Sequence, residues 1–148
     1  MIASGERAEN LEIAISCYTQ ALQEGTRARF PIYWAMTQNN LGAAYDQRIR
    51  GERAENLEIA ISCYRQALQE GTRDRFPIDW AMTQNNLGAA YDQRIRGERA
   101  ENLEIAISCY TQALQEGTRD RFPIDWATTQ NNLGNAYSDR IRGSVPRI

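Results

Sequence analysis

The chain has 148 residues, 17 basic and 19 acidic side chains, a net charge of −2 and 42% apolar content. That is the profile of a soluble globular domain or one short repeat array, with a core of useful size. Every basic residue is Arg, and His and Lys are absent, which removes Ser-His and Cys-His nucleophile pairs, His-ligated metals, Schiff-base lysines and phosphate-loop lysines. No apolar run is long enough for a membrane span, and Met1-Ile2-Ala3-Ser4 has no signal-peptide character. A non-enzymatic chain with no cofactor, no metal, no membrane contact and no nucleic-acid partner is expected.

Self-similarity dominates the chain. Segments 5–50, 51–96 and 97–142 align without a gap, each opening GERAENLEIAISCY and closing RIR, and 143–148 forms a tail. Only seven of the 46 columns differ among the copies, so the chain reads as a single array of one repeated unit.

In chain order, a first helix is expected over about 8–24, its counterpart over 54–70. In the latter, Leu57, Ala60, Ile61, Tyr64, Ala67 and Leu68 fall at spacings of three, four and seven, one apolar helical stripe. Gly71 is expected to stop that helix, and Thr72-Arg73-Asp74-Arg75-Phe76 to form a loop. Pro77 suits a first helical position because its missing N–H costs nothing there, and Asp79 suits the dipole of that first turn. The second helix is expected over about 77–94, with Arg94 and Arg96 in its last turn and Gly97 at its end. The last helix is expected over about 123–142, and Pro146 stops the pattern. No segment has strand periodicity. A hairpin of two such helices cannot bury its stripe alone, so the copies must stack as a solenoid.

Leu87-Gly88 with Tyr91 three residues on, and in the partner helix Ala60-Ile61, Tyr64 and Ala67-Leu68, resembles the tetratricopeptide repeat. The set recurs as Leu41-Gly42 and Tyr45 and as Leu133-Gly134 and Tyr137, with Ala14, Tyr18 and Ala21 and with Ala106, Tyr110 and Ala113. The period of 46 exceeds the family's usual 34, which implies longer helices. A family tryptophan position holds Gln38, Gln84 and Gln130, while Trp34, Trp80 and Trp126 sit four residues earlier. The string FPxxWAxTQNNLGxAY is similar to long repeats of bacterial, notably cyanobacterial, multi-repeat proteins. The resemblance implies an all-α fold, a right-handed superhelix of about six antiparallel helices. It implies two complete repeats flanked by an unpaired helix at each end, an excerpt of a longer array.

The family resemblance also places a ligand groove along the first helix of each repeat. Carried onto this chain, the groove residues are Met36, Asn39, Asn40, Ala43, Asp46 and Gln47, then Met82, Asn85, Asn86, Ala89, Asp92 and Gln93, then Thr128, Asn131, Asn132, Asn135, Ser138 and Asp139. Four of the seven variable columns fall on this set, and a fifth, Tyr33/Asp79/Asp125, lies on the same helix. Paired asparagines are costly in mid-helix, about 0.5 kcal/mol each against Ala, and peptide-binding relatives use such amides as a ladder for a ligand's backbone. The competing reading is a bond from one Asn of each pair to a neighbouring helix. Lacking Lys, the chain does not match the family's carboxylate clamp, and Asp46, Asp92 and Asp139 favour a basic peptide.

The remaining features read as structural. Cys17, Cys63 and Cys109 recur once per copy in an apolar segment and are expected in the core; three unpaired thiols favour a reducing, cytoplasmic setting. The Trp and Tyr columns read as core, Met36 and Met82 equally as groove or packing. The arginines of the turns, Arg27, Arg29, Arg48, Arg50, Arg73 and Arg75, read as solvated charges with acidic residues close in sequence. The expected function is a protein-interaction module that binds a peptide or partner segment; the alternative is a structural spacer that self-associates through its exposed terminal helices.

Overall fold

A computed structural model describes residues 4–24, 26–70, 72–116 and 119–143. Among these there are eight helices and no strand: α1 (Ser4–Leu22), α2 (Thr26–Arg29), α3 (Pro31–Gln47), α4 (Arg53–Leu68), α5 (Thr72–Arg75), α6 (Pro77–Gln93), α7 (Arg99–Glu116) and α8 (Pro123–Gly143). The all-α expectation holds, with six long helices. The segment 72–76 corrects the expected loop: Thr72–Arg75, like Thr26–Arg29, forms a one-turn helix before each proline. Gly71 and Pro146, read as stop signals, lie outside the described residues.

Contacts group the chain into two compact units, Met1–Thr72 and Arg73–Ile148. In the first, α1 and α4 each pack on α3; in the second, α6 and α8 each pack on α7. Both are built from the same two kinds of helix pair.

Local chemistry starts and stops these helices. Pro31 and Pro77 open α3 and α6 with no side-chain cap; Trp34 and Trp80 close the first turn by donating backbone N–H groups to Phe30 and Phe76 at 2.9 and 3.0 Å. The helices end at Gln47 and Gln93, before the arginines assigned to their last turn, and Gly51 and Gly97 sit three residues past the Arg48 and Arg94 caps at φ of +81° and +82°. Those left-handed backbones reverse the chain into α4 and α7 at no Cβ cost.

An asparagine holds each reversal. Asn56 is almost fully buried; its Nδ2 donates to the Arg50 carbonyl at 2.9 Å and its Oδ1 accepts from Arg48 Nη1 at 3.2 Å. Asn102 repeats both bonds with Arg96 and Arg94. A buried amide needs such partners to offset its desolvation. The core is then filled by Leu57, Ala60, Tyr64 and Ala67 against Trp34, Ala35 and Leu41, and by Leu103, Ala106, Tyr110 and Ala113 in the second unit. Each fully buried Leu or aromatic contributes on the order of 1.5–3 kcal/mol.

Candidate functional site

The mapped groove residues lie on α3, α6 and α8. In the first unit, Met36 is 46% exposed on α3, Asn40 and Gln47 are exposed, and Asn39, Ala43 and Asp46 are half-buried. The second unit brings two such helices together. There a pocket of about 120 Å³ opens between the start of α6, the end of α7 and the start of α8. Ile78, Ala81, Met82, Asn85 and Asn86 of α6 line one side, Ala113 and Leu114 of α7 another, and Phe122, Asp125, Trp126, Thr128 and Thr129 at the start of α8 the third. This is a small, mostly apolar recess with a few amide, hydroxyl and carboxylate groups on its lining.

Four mapped residues therefore meet in one place: Met82, Asn85, Asn86 and Thr128. A fifth joins them, because Asn132 Nδ2 on α8 donates to Asn85 Oδ1 on α6 at 3.2 Å. The two asparagine columns thus face one another across neighbouring first helices. Among the described residues that bond leaves the Asn85 NH2 and the Asn132 carbonyl oxygen without a partner. Asn131 is exposed and belongs instead to a broad shallow depression on α8 with Pro123, Ile124 and Gln130. Ala89, Gln93, Asn135 and Ser138 take no part in the pocket lining.

The three groove carboxylates are already committed. Arg53 pairs with Asp46 at 3.1 Å, Arg99 with Asp92 at 3.1 Å and with Asp139 at 3.4 Å. Asp125, at the mouth of the pocket, has no cationic partner among the described residues.

The arginines need a correction. Most are exposed as expected, but several pair with an acidic residue far along the chain rather than with one close in sequence. Arg48 donates Nε and Nη2 to both carboxylate oxygens of Glu12 at 2.9 and 2.8 Å. That bidentate bond holds the Glu12 carboxyl below the usual carboxylate range and raises the Arg48 guanidinium above its own. Arg27 stacks 4.4 Å from the centre of the Trp34 ring and pairs with Glu70; Arg73 stacks 4.5 Å from Trp80 and pairs with Glu116 at 2.7 Å.

The core assignments divide by position. Cys63 and Cys109 are buried, and burial pushes the Cys63 thiol up to about 11. Burial likewise raises the Tyr64 phenol, with the Asp46 charge adding to it. Cys17, expected in the core, is exposed, because α1 packs on α3 but no described helix covers its opposite side. Gln38 and Gln84, standing where the family has tryptophan, are buried, and the Oε1 of each has no hydrogen-bond partner among the described residues. Sequence reasoning missed Asn56 and Asn102 entirely, and missed Ile78, Phe122, Asp125 and Trp126 as pocket walls. The one available signal was Asp125, which shares a variable column with Asp79 and Tyr33.

Repeated helix pairs, each joined by a close glycine contact and carrying amides on the first helix, define an all-α repeat protein. A family model described as tetratricopeptide repeat matches residues 34–74 and 80–120, and the chain belongs to that family. Repeats of this family are generally protein–protein interaction modules. No curated protein and no solved structure matches the chain. No described helix is long and apolar enough to cross a membrane.

Proposed function

We propose that the chain is a non-enzymatic module that holds an extended segment of a partner protein across α6 and α8, with one apolar side chain in the pocket between them. The observation that carries this reading is the pocket itself. It joins an apolar recess to two amides that offer one donor and one acceptor beside it, the combination needed to hold a side chain and an adjacent backbone together. Met82, 47% exposed at the pocket wall, supplies an adaptable apolar contact. Because Asp46, Asp92 and Asp139 are paired within the chain, the preference for a basic residue is assigned to Asp125. The favoured ligand therefore carries an apolar residue with Arg or Lys close to it. Nucleic acid is disfavoured by the net charge of −2 and by arginines held in ion pairs.

The reading is tested by fluorescence anisotropy with peptides selected from a random library. Asn85→Ala and Asn132→Ala are each expected to weaken binding about 5- to 10-fold, the loss of one hydrogen bond of about 1 kcal/mol, with helicity retained in circular dichroism. Selected peptides that bind both variants as they bind the parent chain would remove the groove from the account.

A further inference from the structure

Each helix pair of the α3–α4 and α6–α7 kind is joined by the same three contacts. A glycine of the first helix lies under a tyrosine ring of the second: Gly42 under Tyr64, Gly88 under Tyr110. An arginine stacked on the repeat's tryptophan reaches a glutamate at the C-terminal end of the second helix: Arg27 to Glu70, just past α4, and Arg73 to Glu116, the last residue of α7. A buried glutamine reaches another glutamine: Gln38 to Gln66 at 3.4 Å, Gln84 to Gln112 at 3.5 Å.

The repeat carries one half of all three contacts on α8 and its approach, and the other half on α1. On the α8 side they are Gly134, Arg119 and Gln130; on the α1 side Tyr18, Glu24 and Gln20. Each half is open. A Cβ on Gly134 would meet nothing within 4 Å. Gln130 is exposed where Gln38 and Gln84 are buried. Among the described residues no carboxylate pairs with Arg119, and its guanidinium stands 5.6 Å from the Trp126 ring, against 4.4 and 4.5 Å for the two clamped arginines. Glu24 has no cationic partner among the described residues either. On α8, Ile124 is 79% exposed beside these groups.

From this we infer that a second copy of this chain docks its α1 on the open face of α8, in the register that α4 takes on α3 and α7 takes on α6. Tyr18 of the incoming copy covers Gly134, Glu24 pairs with Arg119, and Gln20 meets Gln130. Charge and shape are complementary, since the two faces are the halves of a contact the chain already makes twice within itself. The contact is heterologous, so copies add head to tail and the mass grows with concentration. It is independent of the groove and uses none of the pocket residues proposed to hold ligand.

The test is sedimentation equilibrium of the 148-residue chain from about 10 µM to about 1 mM, the range in which a weak association of this kind registers. The weight-average mass is expected to rise above the 16.9 kDa of one chain, and the Cys17 thiol to react more slowly with a thiol reagent as concentration increases, because its counterparts Cys63 and Cys109 are buried. Gly134→Leu adds a side chain into open space in one copy but into the place of Tyr18 in the pair; it is expected to melt no lower than the parent and to remain at one-chain mass. Arg119→Glu and Glu24→Arg are each expected to weaken association several-fold, and the double variant Arg119→Glu/Glu24→Arg to restore it. A parent chain that stays at one-chain mass throughout, a Gly134→Leu chain that associates like the parent, or a double variant no better than its singles would overturn the inference. Should Gly134→Leu fail to fold, the charge exchange decides alone.

Discussion

Gly88 of α6 lies so close to the ring of Tyr110 on α7 that a Cβ at residue 88 would fall 2.7 Å from Cε1 and 2.9 Å from Cδ1. Gly42 stands in the same relation to Tyr64, at 2.6 and 2.9 Å. Both tyrosines are 1% exposed, so neither ring can step aside without leaving its packing. The glycine is therefore required by the approach of two helices, at the cost of helix propensity. Gly88→Ala and Gly42→Ala are expected to destabilise the fold by about 1–3 kcal/mol each through overpacking, which for a chain of this length lowers Tm by several degrees. Gly134→Ala, with open space around it, is expected to be neutral or to gain up to about 1 kcal/mol. Thermal unfolding of the three variants side by side reads the contrast.

Asn56 and Asn102 hold the reversals between paired helices. Replacing either by Ala strands a backbone carbonyl, that of Arg50 or Arg96, and takes an acceptor from Arg48 or Arg94. A loss of about 2–3 kcal/mol is expected, with Asp intermediate because it keeps the acceptor but not the donor. Urea unfolding of the Ala and Asp variants separates the two contributions.

Gln84 shows the opposite case, a polar group whose removal helps. Its Oε1 is buried without a partner, and its Nε2 reaches Gln112 only at 3.5 Å. Methionine has nearly the same length and no hydrogen-bonding demand. Gln84→Met is expected to raise stability by about 1 kcal/mol, and Gln38→Met likewise, measured as an increase in Tm.

The Glu12–Arg48 pair makes the docking of α1 sensitive to acid. Glu12 is held below the usual carboxylate range chiefly by its hydrogen bonds to Arg48. The folded state therefore prefers the ionised form. The contribution is present at neutral pH, begins to fade as pH falls through the ordinary carboxylate range, and is gone below the lowered folded value. Amide exchange along α1 is expected to quicken over that window in the parent chain. In Glu12→Gln, α1 is less protected at neutral pH and shows less acid dependence.

Much of this architecture was legible in the residues. The stripe from Leu57 to Leu68, Pro77 at a helix start and the unbroken 46-residue period place every long helix to within a few residues. What lay hidden depends on long-range geometry. Arg27 and Glu70 are 43 positions apart, and a charged turn does not announce which distant helix it clamps. The amides in each asparagine column look alike in sequence, yet Asn132 bonds Asn85 while Asn131 faces outward; only helix rotation separates them. The pocket was missed for a related reason. Phe122 and Trp126 follow the apolar spacing of core residues, and their role as walls emerges only where α8 meets α6 and α7.

The central claim is that the α6–α8 pocket receives a side chain of a partner segment. It is tested most directly by measuring how peptides selected from a random library bind the parent chain and Met82→Asp, which sets a charge on an exposed wall of the recess without touching the core. The account predicts that the selected peptides share an apolar residue near an Arg or Lys, and that Met82→Asp weakens them at least about tenfold, or 1.4 kcal/mol, while the circular dichroism spectrum is unchanged. Selected peptides that bind Met82→Asp as tightly as the parent would contradict it.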